Sequence, residues 1–437
     1  MQRGVVPSGS SGSAAAAVVR AARTHLAGLD PGRPDDLAAL LAVTDDLLHR
    51  AALDDAVRSR RAELLPAGTD PAEHAAALSG DELRAFVVAL RDCELGGLPP
   101  QDRLDLPAPG STPATSAAAL ADYLRSRGED RALVSAAPVA GGFSKETILL
   151  TLDGTNGTEE VVLRKVAAGR VADSLAREFD VLRFVAGHGL TVARPLWLDP
   201  DGATLGGPLF ATTRMPGRTV GTVSGPDDGA TPAVARELAS LLGRLHALDV
   251  TGLASTPRPA MVADAELLAA VDEREKIVRQ AADALPDTPG LALHHVLLSW
   301  LRENMPTPRT AAVLVHGDVG FHNLLVDHGR VSALLDWELS HRGRPAEDLA
   351  YVRPSVESLL PWEEFLDVYL GAGGVPVDLE ELRFFTVWQD VWRAVSCLRL
   401  RTKFVLDPVR LSDGVSGLLL GTRFLDSALE TAFGGTA

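Results

Sequence analysis

The stretch Val313 to Glu338 reads VLVHGDVGFHNLLVDHGRVSALLDWE, and its punctuation leaves few choices of local structure. An apolar run, Val313 to Val315, enters a polar loop that carries His316, Asp318, His322 and Asn323. A second run, Leu324 to Asp327, is followed by His328 and Gly329, and a third, Val331 to Leu335, ends in Asp336. Two short strands flanking a two-residue turn with Gly second read as a β-hairpin. If the turn is His328 and Gly329 alone, Asp327 faces Arg330 and counting outward sets Asn323 opposite Leu334. Side chains alternate with period 2, so Asp336 shares the face of Leu334. Asn323 and Asp336 then become diagonal neighbours about 7 to 8 Å apart between Cα atoms.

An amide oxygen and a carboxylate converging on one point suit a hard cation such as Mg²⁺, which keeps waters and takes further ligands from phosphates. Asp318 lies on the loop entering the hairpin, where it can face a hydroxyl beside that metal. This is the division of labour of a kinase: one Asp handles the acceptor hydroxyl, while an Asn and a second Asp hold metal on the nucleotide. The protein-kinase pattern H-R-D-x-x-x-x-N, with a later D-F-G, appears here as H-G-D-V-G-F-H-N and D-W-E.

At these residues the chain resembles the aminoglycoside phosphotransferase and choline kinase-like family. The resemblance implies an α+β, bilobal protein-kinase-like fold: a five-stranded antiparallel N-lobe with one helix, and a mostly helical C-lobe. It also implies ATP, or another nucleoside triphosphate, with Mg²⁺, and γ-phosphoryl transfer to a small-molecule hydroxyl. By motif position Asp318 is the catalytic Asp with His316 supporting its loop, and Asn323 and Asp336 are metal ligands. Two other readings stand beside it. One is a nucleotide-binding scaffold without catalysis; the other is a metallohydrolase built on His316, Asp318, His322 and Asp336.

Along the chain, residues 1–13 read as a Gly/Ser-rich flexible leader. Residues 14–95 carry helical periodicity, with a helix expected from near Asp35 and another over Leu83, Phe86, Val87 and Leu90. This is a small all-α domain, preceding the kinase-like lobes, through which a protein partner or self-association could act. Its acids Glu82, Asp92 and Glu94 read as solvated helix charges. A Pro/Gly-rich linker, 96–112, separates it from the kinase-like lobes at 113–213 and 214–437.

In the first lobe a helix is expected from Thr115 to Arg127. Strands are expected over Leu133 to Ala140, Glu146 to Leu152, Glu160 to Val166, Val192 to Leu198 and Pro208 to Thr213, with a helix over Asp173 to Ala186. The Asp-Gly and Asn-Gly pairs of DGTNGT mark a hairpin turn. Gly141, Gly142 and Ser144 stand at a strand turn where backbone N–H groups could approach phosphates. The kinase pattern also needs a strand cation positioned by a helix Glu. Glu178 fits the latter. By family register Arg164 takes the place of the lysine, with Lys165 as its rival, and period 2 lets only one of them face the cleft. Thr213 and Met215 fall in the segment that resembles the hinge, where backbone groups meet the adenine.

In the second lobe His246 ends an apolar helix stripe and reads as a hydrogen-bonded structural histidine, and by resemblance Asp348 braces the catalytic loop. Toward the C-terminus an acidic run that includes Glu363 and Glu381 would favour cationic acceptors. A basic run with Arg393, Arg399 and Lys403 would favour an anionic, acyl-CoA-like one, which is reminiscent of the kinase-like domains associated with acyl-CoA dehydrogenases. A net charge of −16 disfavours nucleic acid and anionic membranes as partners. Cys93 and Cys397, the chain's two cysteines, have no ligand-like spacing, and a reducing cytoplasm fits them best.

Overall fold

The structure is a computed structural model. It describes residues 60–434 apart from 66–67, 96–114, 140–144, 156, 167–171, 223–224, 286–287, 289, 308–309 and 407–410. The expected leader, the helix near Asp35, the linker, and Gly141, Gly142 and Ser144 lie outside the described residues. Contacts divide the chain into two compact units that interleave in sequence: 1–107 with 268–305 and 387–437, and 108–267 with 306–386. The described helices ahead of residue 96, expected to belong to an all-α N-terminal domain, share a unit with segments hundreds of residues downstream, whose helices pack against them.

The described residues of that first unit are mostly helical. Helix Gly80–Leu95 buries Phe86, Val87 and Leu90, the stripe expected from its periodicity. Glu82 and Asp92 are exposed, as a solvated face requires, but Glu94 is buried. Its carboxylate lies 3.4 Å from Arg61 and beside the backbone amides at the start of helix Leu291–Glu303. Burial pushes it up to about 7, which Arg61 and those amides only partly oppose.

The second unit opens with helix Ala117–Ser126, whose N-cap Ser116 accepts from the Ala119 amide at 3.2 Å. The cap explains why the helix starts two residues after the expected Thr115. Five strands follow: β1 (Ala132–Pro138), β2 (Glu146–Gly154), β3 (Gly157–Lys165), β4 (Pro195–Asp199) and β5 (Leu209–Thr213). They form one antiparallel sheet in the order β1-β2-β3-β5-β4, with helix Ala172–Gly187 inserted between β3 and β4. Gly154 pairs with Gly157, so β2 and β3 close on each other within the DGTNGT segment signalled by the sequence. On one sheet face Ile148, Leu150, Leu152, Val161 and Leu163 pack against Leu120, Tyr123 and Leu124 of helix Ala117–Ser126. Arg164, opposite Thr147 in the register, therefore faces the other side.

The mostly helical second lobe of this unit includes helix Pro232–His246, which buries Val234, Leu238, Leu241, Leu242 and Leu245. Strand Val313–Val315 is buried throughout and pairs antiparallel with His341–Gly343. The hairpin turn is as expected: His328 and Gly329 both have positive φ, 46° and 76°, as the favoured two-residue turn demands. Its register is not. The pairing passes from Leu325↔Ala333 to Val326↔Val331, so Ser332 is an extra, bulged residue. Leu324, rather than Asn323, therefore faces Leu334. Among the described residues no helix is long and apolar enough to cross a membrane.

Candidate active site

The bulge moves Asn323 opposite Leu335, whose amide donates to the Asn323 carbonyl at 2.8 Å. Strict alternation would then send Asp336 away from Asn323, but Asp336 leaves the strand with φ 61° and ψ 73°. A left-handed residue breaks the period-2 rule, and Asp is among the few types that tolerate that region. Two irregularities that hairpin counting omits thus set where the acid points.

His316, fully buried, joins the loop to this turn. Its Nε2 donates to the Leu335 carbonyl at 2.8 Å and its Nδ1 accepts from the Asp318 amide at 3.2 Å, with the ring edge-on to Trp337. Both nitrogens are committed to backbone, which makes His316 a brace. Gly317 has φ +81°, and a Cβ there would lie 2.7 Å from the Leu339 carbonyl oxygen, so the turn between His316 and Asp318 requires glycine.

Asp318 receives three neighbours. Tyr351 donates its hydroxyl to Oδ1, Asn323 donates Nδ2 to Oδ2 at 3.0 Å, and His322 Nε2 stands 3.4 Å from Oδ1. Burial raises its pKa, but the His322 and Tyr351 contacts outweigh it and hold the carboxyl below its ordinary range. By spending Nδ2 on the side chain and carbonyl of Asp318, Asn323 keeps its amide oxygen without a hydrogen bond among the described residues.

Behind the loop Asp348 accepts from the His316 amide at 2.8 Å and from Gly317 at 2.9 Å. His246 Nε2 lies 3.2 Å from it, and His246 Nδ1 lies 2.9 Å from the Tyr369 hydroxyl. His246 is thus the hydrogen-bonded structural residue expected of it. Burial pushes Asp348 up, yet His246 and the loop amides pull it below the ordinary carboxylate value.

Facing Asp336 is a cluster of opposite charges. Arg164 Nη2 reaches Asp336 Oδ1 at 3.0 Å and its Nη1 lies 3.4 Å from Glu178, which is 1% exposed. Lys145 adds contacts to Glu178 at 2.8 Å, Glu338 at 2.7 Å and Asp336 Oδ1 at 3.4 Å. Both cations take Oδ1 of Asp336, and Oδ2 accepts no hydrogen bond among the described residues. Burial would raise Asp336, but Arg164 and Lys145 hold it far below the ordinary range. The rival Lys165 turns to the opposite sheet face, where it meets Glu146 at 2.8 Å and Thr115 at 2.7 Å. Arg164, Glu178, Asn323, Asp318 and Asp336 therefore gather with His316 on one site. Thr213 and Met215 stand at the end of β5, and Thr213 spends its amide and hydroxyl on Arg194, at 2.9 and 3.0 Å.

Sequence reasoning missed Lys145 and Tyr351. Lys145 shares strand parity with Thr147, the partner of Arg164, so period 2 alone would place it on the cleft face. Tyr351 lies three residues after Asp348 on helix Pro345–Glu357, a spacing that sets both on one helix face.

A profile described as the phosphotransferase enzyme family (APH) matches residues 135–385, and the chain belongs to that family. Viomycin phosphotransferase of Streptomyces vinaceus is 30% identical over 56% of this chain and 82% of its own length. Acyl-CoA dehydrogenase family member 11 of Mus musculus is 26% identical over 59% of this chain, which spans about a third (35%) of that relative. Among solved structures, macrolide 2'-phosphotransferase MphH of Brachybacterium faecium aligns with TM-score 0.51 and 22% identity, over 69% of this chain and 97% of that one. The GDP and kanamycin complex of an APH(2") enzyme aligns with TM-score 0.52 and 18% identity, over 69% and 96%. These likenesses confirm the bilobal kinase-like fold.

Proposed function

We propose that the protein is an ATP- and Mg²⁺-dependent phosphotransferase that moves the γ-phosphoryl group to a hydroxyl of a small molecule. The observation that carries this reading is the joining of Asp318 to Asn323, and of Asn323 to the turn that ends in Asp336, in one hydrogen-bonded unit. The amide oxygen of Asn323 and Oδ2 of Asp336 are the hard donors Mg²⁺ takes, and the remaining ligands would come from phosphates and water. When bound, the ion neutralises charge on the transferring phosphoryl group.

The residues of the chain supply the rest. Asp318, ionised, orients the acceptor O–H for in-line attack on the γ-phosphorus; the new O–P bond forms as the bond to the β-phosphate oxygen breaks, and the proton leaves toward Asp318. Arg164, held between Glu178 and Asp336, brings fixed positive charge to the nucleotide side of the site. Gly141, Gly142 and Ser144 contribute backbone contacts to the phosphates, and the segment of Thr213 and Met215 borders the base. The kinship with viomycin phosphotransferase and with the acyl-CoA dehydrogenase relatives keeps cationic antibiotics and acyl thioesters bearing a hydroxyl both on the acceptor panel.

The test is nucleotide consumption by the purified protein with Mg²⁺, against aminoglycosides, peptide antibiotics, macrolides, cholines, sugars and hydroxyacyl-CoA thioesters, with Asp318→Ala alongside. Acceptor-dependent turnover that vanishes in the variant is expected. Tight nucleotide binding with no turnover on any acceptor would favour the scaffold reading.

A further inference from the structure

We propose that Lys145, immediately before β2, is the lysine that grips the nucleotide phosphates, and that Arg164 serves instead to hold the metal-binding acid Asp336. The proposal rests on the phosphotransferase reading and adds to it a residue that motif position does not supply.

The distances divide the two cations. In the kinase arrangement a strand lysine is positioned by a helix glutamate while it reaches the phosphates. The ammonium of Lys145 lies 2.8 Å from Oε2 of Glu178, while the nearest approach of Arg164 to that residue is 3.4 Å, at Oε1. Arg164 is closest to Asp336, at 3.0 Å, whereas Lys145 stands 3.4 Å from it. Each oxygen of one buried carboxylate thus anchors a different cation, and the lysine has the tighter anchor.

The strands explain how a residue outside β3 reaches this place. Thr147 pairs with Arg164, and Lys145 lies two residues before Thr147, so Lys145 and Arg164 are diagonal neighbours on the cleft face. One residue along, Glu146 pairs with Lys165 and both turn to the opposite face, where Lys165 is held by Thr115 and the Leu205 carbonyl. The β3 position therefore carries a guanidinium, and the ammonium is supplied by the residue that leads into the neighbouring strand. The chemistry suits the exchange. A lysine is a compact point charge with three rotatable donors, while the rigid fork of an arginine is suited to holding one carboxylate in place.

The three donors of Lys145 point at Glu178, Glu338 and Asp336. Glu178 is 1% exposed and fixed, but Glu338 is 30% exposed. A phosphate oxygen can replace Glu338 at the ammonium while Glu178 stays as anchor. Nucleotide binding then competes with an internal carboxylate.

The experiment is calorimetric titration of MgATP and of adenosine into wild type, Lys145→Met, Lys145→Arg and Glu338→Gln, with unfolding midpoints recorded for each. Lys145→Met is expected to weaken MgATP at least tenfold and leave adenosine within twofold; Lys145→Arg should recover most of the loss, and Glu338→Gln should tighten MgATP. A purely structural lysine would instead move the midpoint and leave the ratio of ATP to adenosine affinity unchanged, and MgATP affinity in Lys145→Met within twofold of wild type overturns the proposal. Because Lys145→Met leaves Glu178 with one cation fewer, a second measurement uses the unaltered protein. An adenosine analogue bearing an amine-reactive group in place of its phosphates is mapped over the four lysines, 145, 165, 276 and 403. Labelling of Lys145, blocked by MgATP, supports the assignment, and labelling of Lys165 contradicts it. If wild type binds no Mg-nucleotide at all, the phosphotransferase reading itself fails, which is a different outcome from either.

Discussion

The two sides of the loop from His316 to Asn323 use the same chemical group in opposite ways. In front stand Asp318 and Asp336, with side chains 27% and 25% exposed, each left with contacts a ligand can share or replace. Behind stands Asp348, fully buried, with both oxygens given to loop amides and His246 closing the shell. All three carboxyls are held below their ordinary range, so acidity does not separate them. Access does. A saturated carboxylate fixes a backbone, and a partly open one can meet a substrate.

The largest effect should come from the front. Asp318→Ala is expected to cut turnover by about 10³-fold or more while nucleotide affinity, by calorimetry, stays within threefold; an unimpaired rate removes Asp318 from the chemistry. Behind the loop, Asp348→Ala leaves two amides and a histidine unsatisfied, and denaturant unfolding should register a loss of roughly 3 to 5 kcal/mol. Wild-type stability in that variant would erase the contrast between the two sides.

Glu94 sharpens the comparison from the other unit, as a buried acid with poor partners, raised to about 7. A carboxyl raised on folding contributes stability that is complete below its unfolded value near 4.5 and is lost as pH rises through about 7. Glu94→Gln should therefore stabilise the protein at pH 8 by about 3 kcal/mol and do nothing at pH 4. Equal shifts at both pH values would show that the charge of Glu94 is not the cause.

The smallest effect belongs to Tyr351. On the proposed mechanism Asp318 acts ionised, and its pKa is depressed, so the rate is expected to fall as the carboxylate is protonated. Tyr351→Phe removes a donor, and the acid limb of kcat/KM should move to higher pH. An unmoved limb would show that the hydroxyl does not tune Asp318.

Much of this was legible in the sequence because it rests on local rules. Alternation and turn residues fixed the five strands, and apolar spacing fixed the helix stripe that ends in His246. The spacing of Asp318, Asn323 and Asp336 pointed to residues that the fold brings together. What escaped depends on departures from periodicity or on distant packing. The Ser332 bulge shifts the hairpin by one residue, and the left-handed Asp336 re-aims a side chain that the corrected register would send elsewhere. Glu94 looked like surface charge because its helix shows only its own face, and the segments that cover it lie far downstream. Lys145 carries no motif, and it becomes visible only through the pairing of Thr147 with Arg164.

The most direct measurement is titration of ATP into wild type and Asp336→Ala, with Mg²⁺ and with a chelator. The account predicts that Mg²⁺ tightens binding to wild type at least tenfold, that this gain is absent in the variant, and that metal-free affinity is kept or increased because Arg164 and Lys145 lose their competing acid. A wild type indifferent to Mg²⁺, or a variant that keeps the full gain, would contradict it.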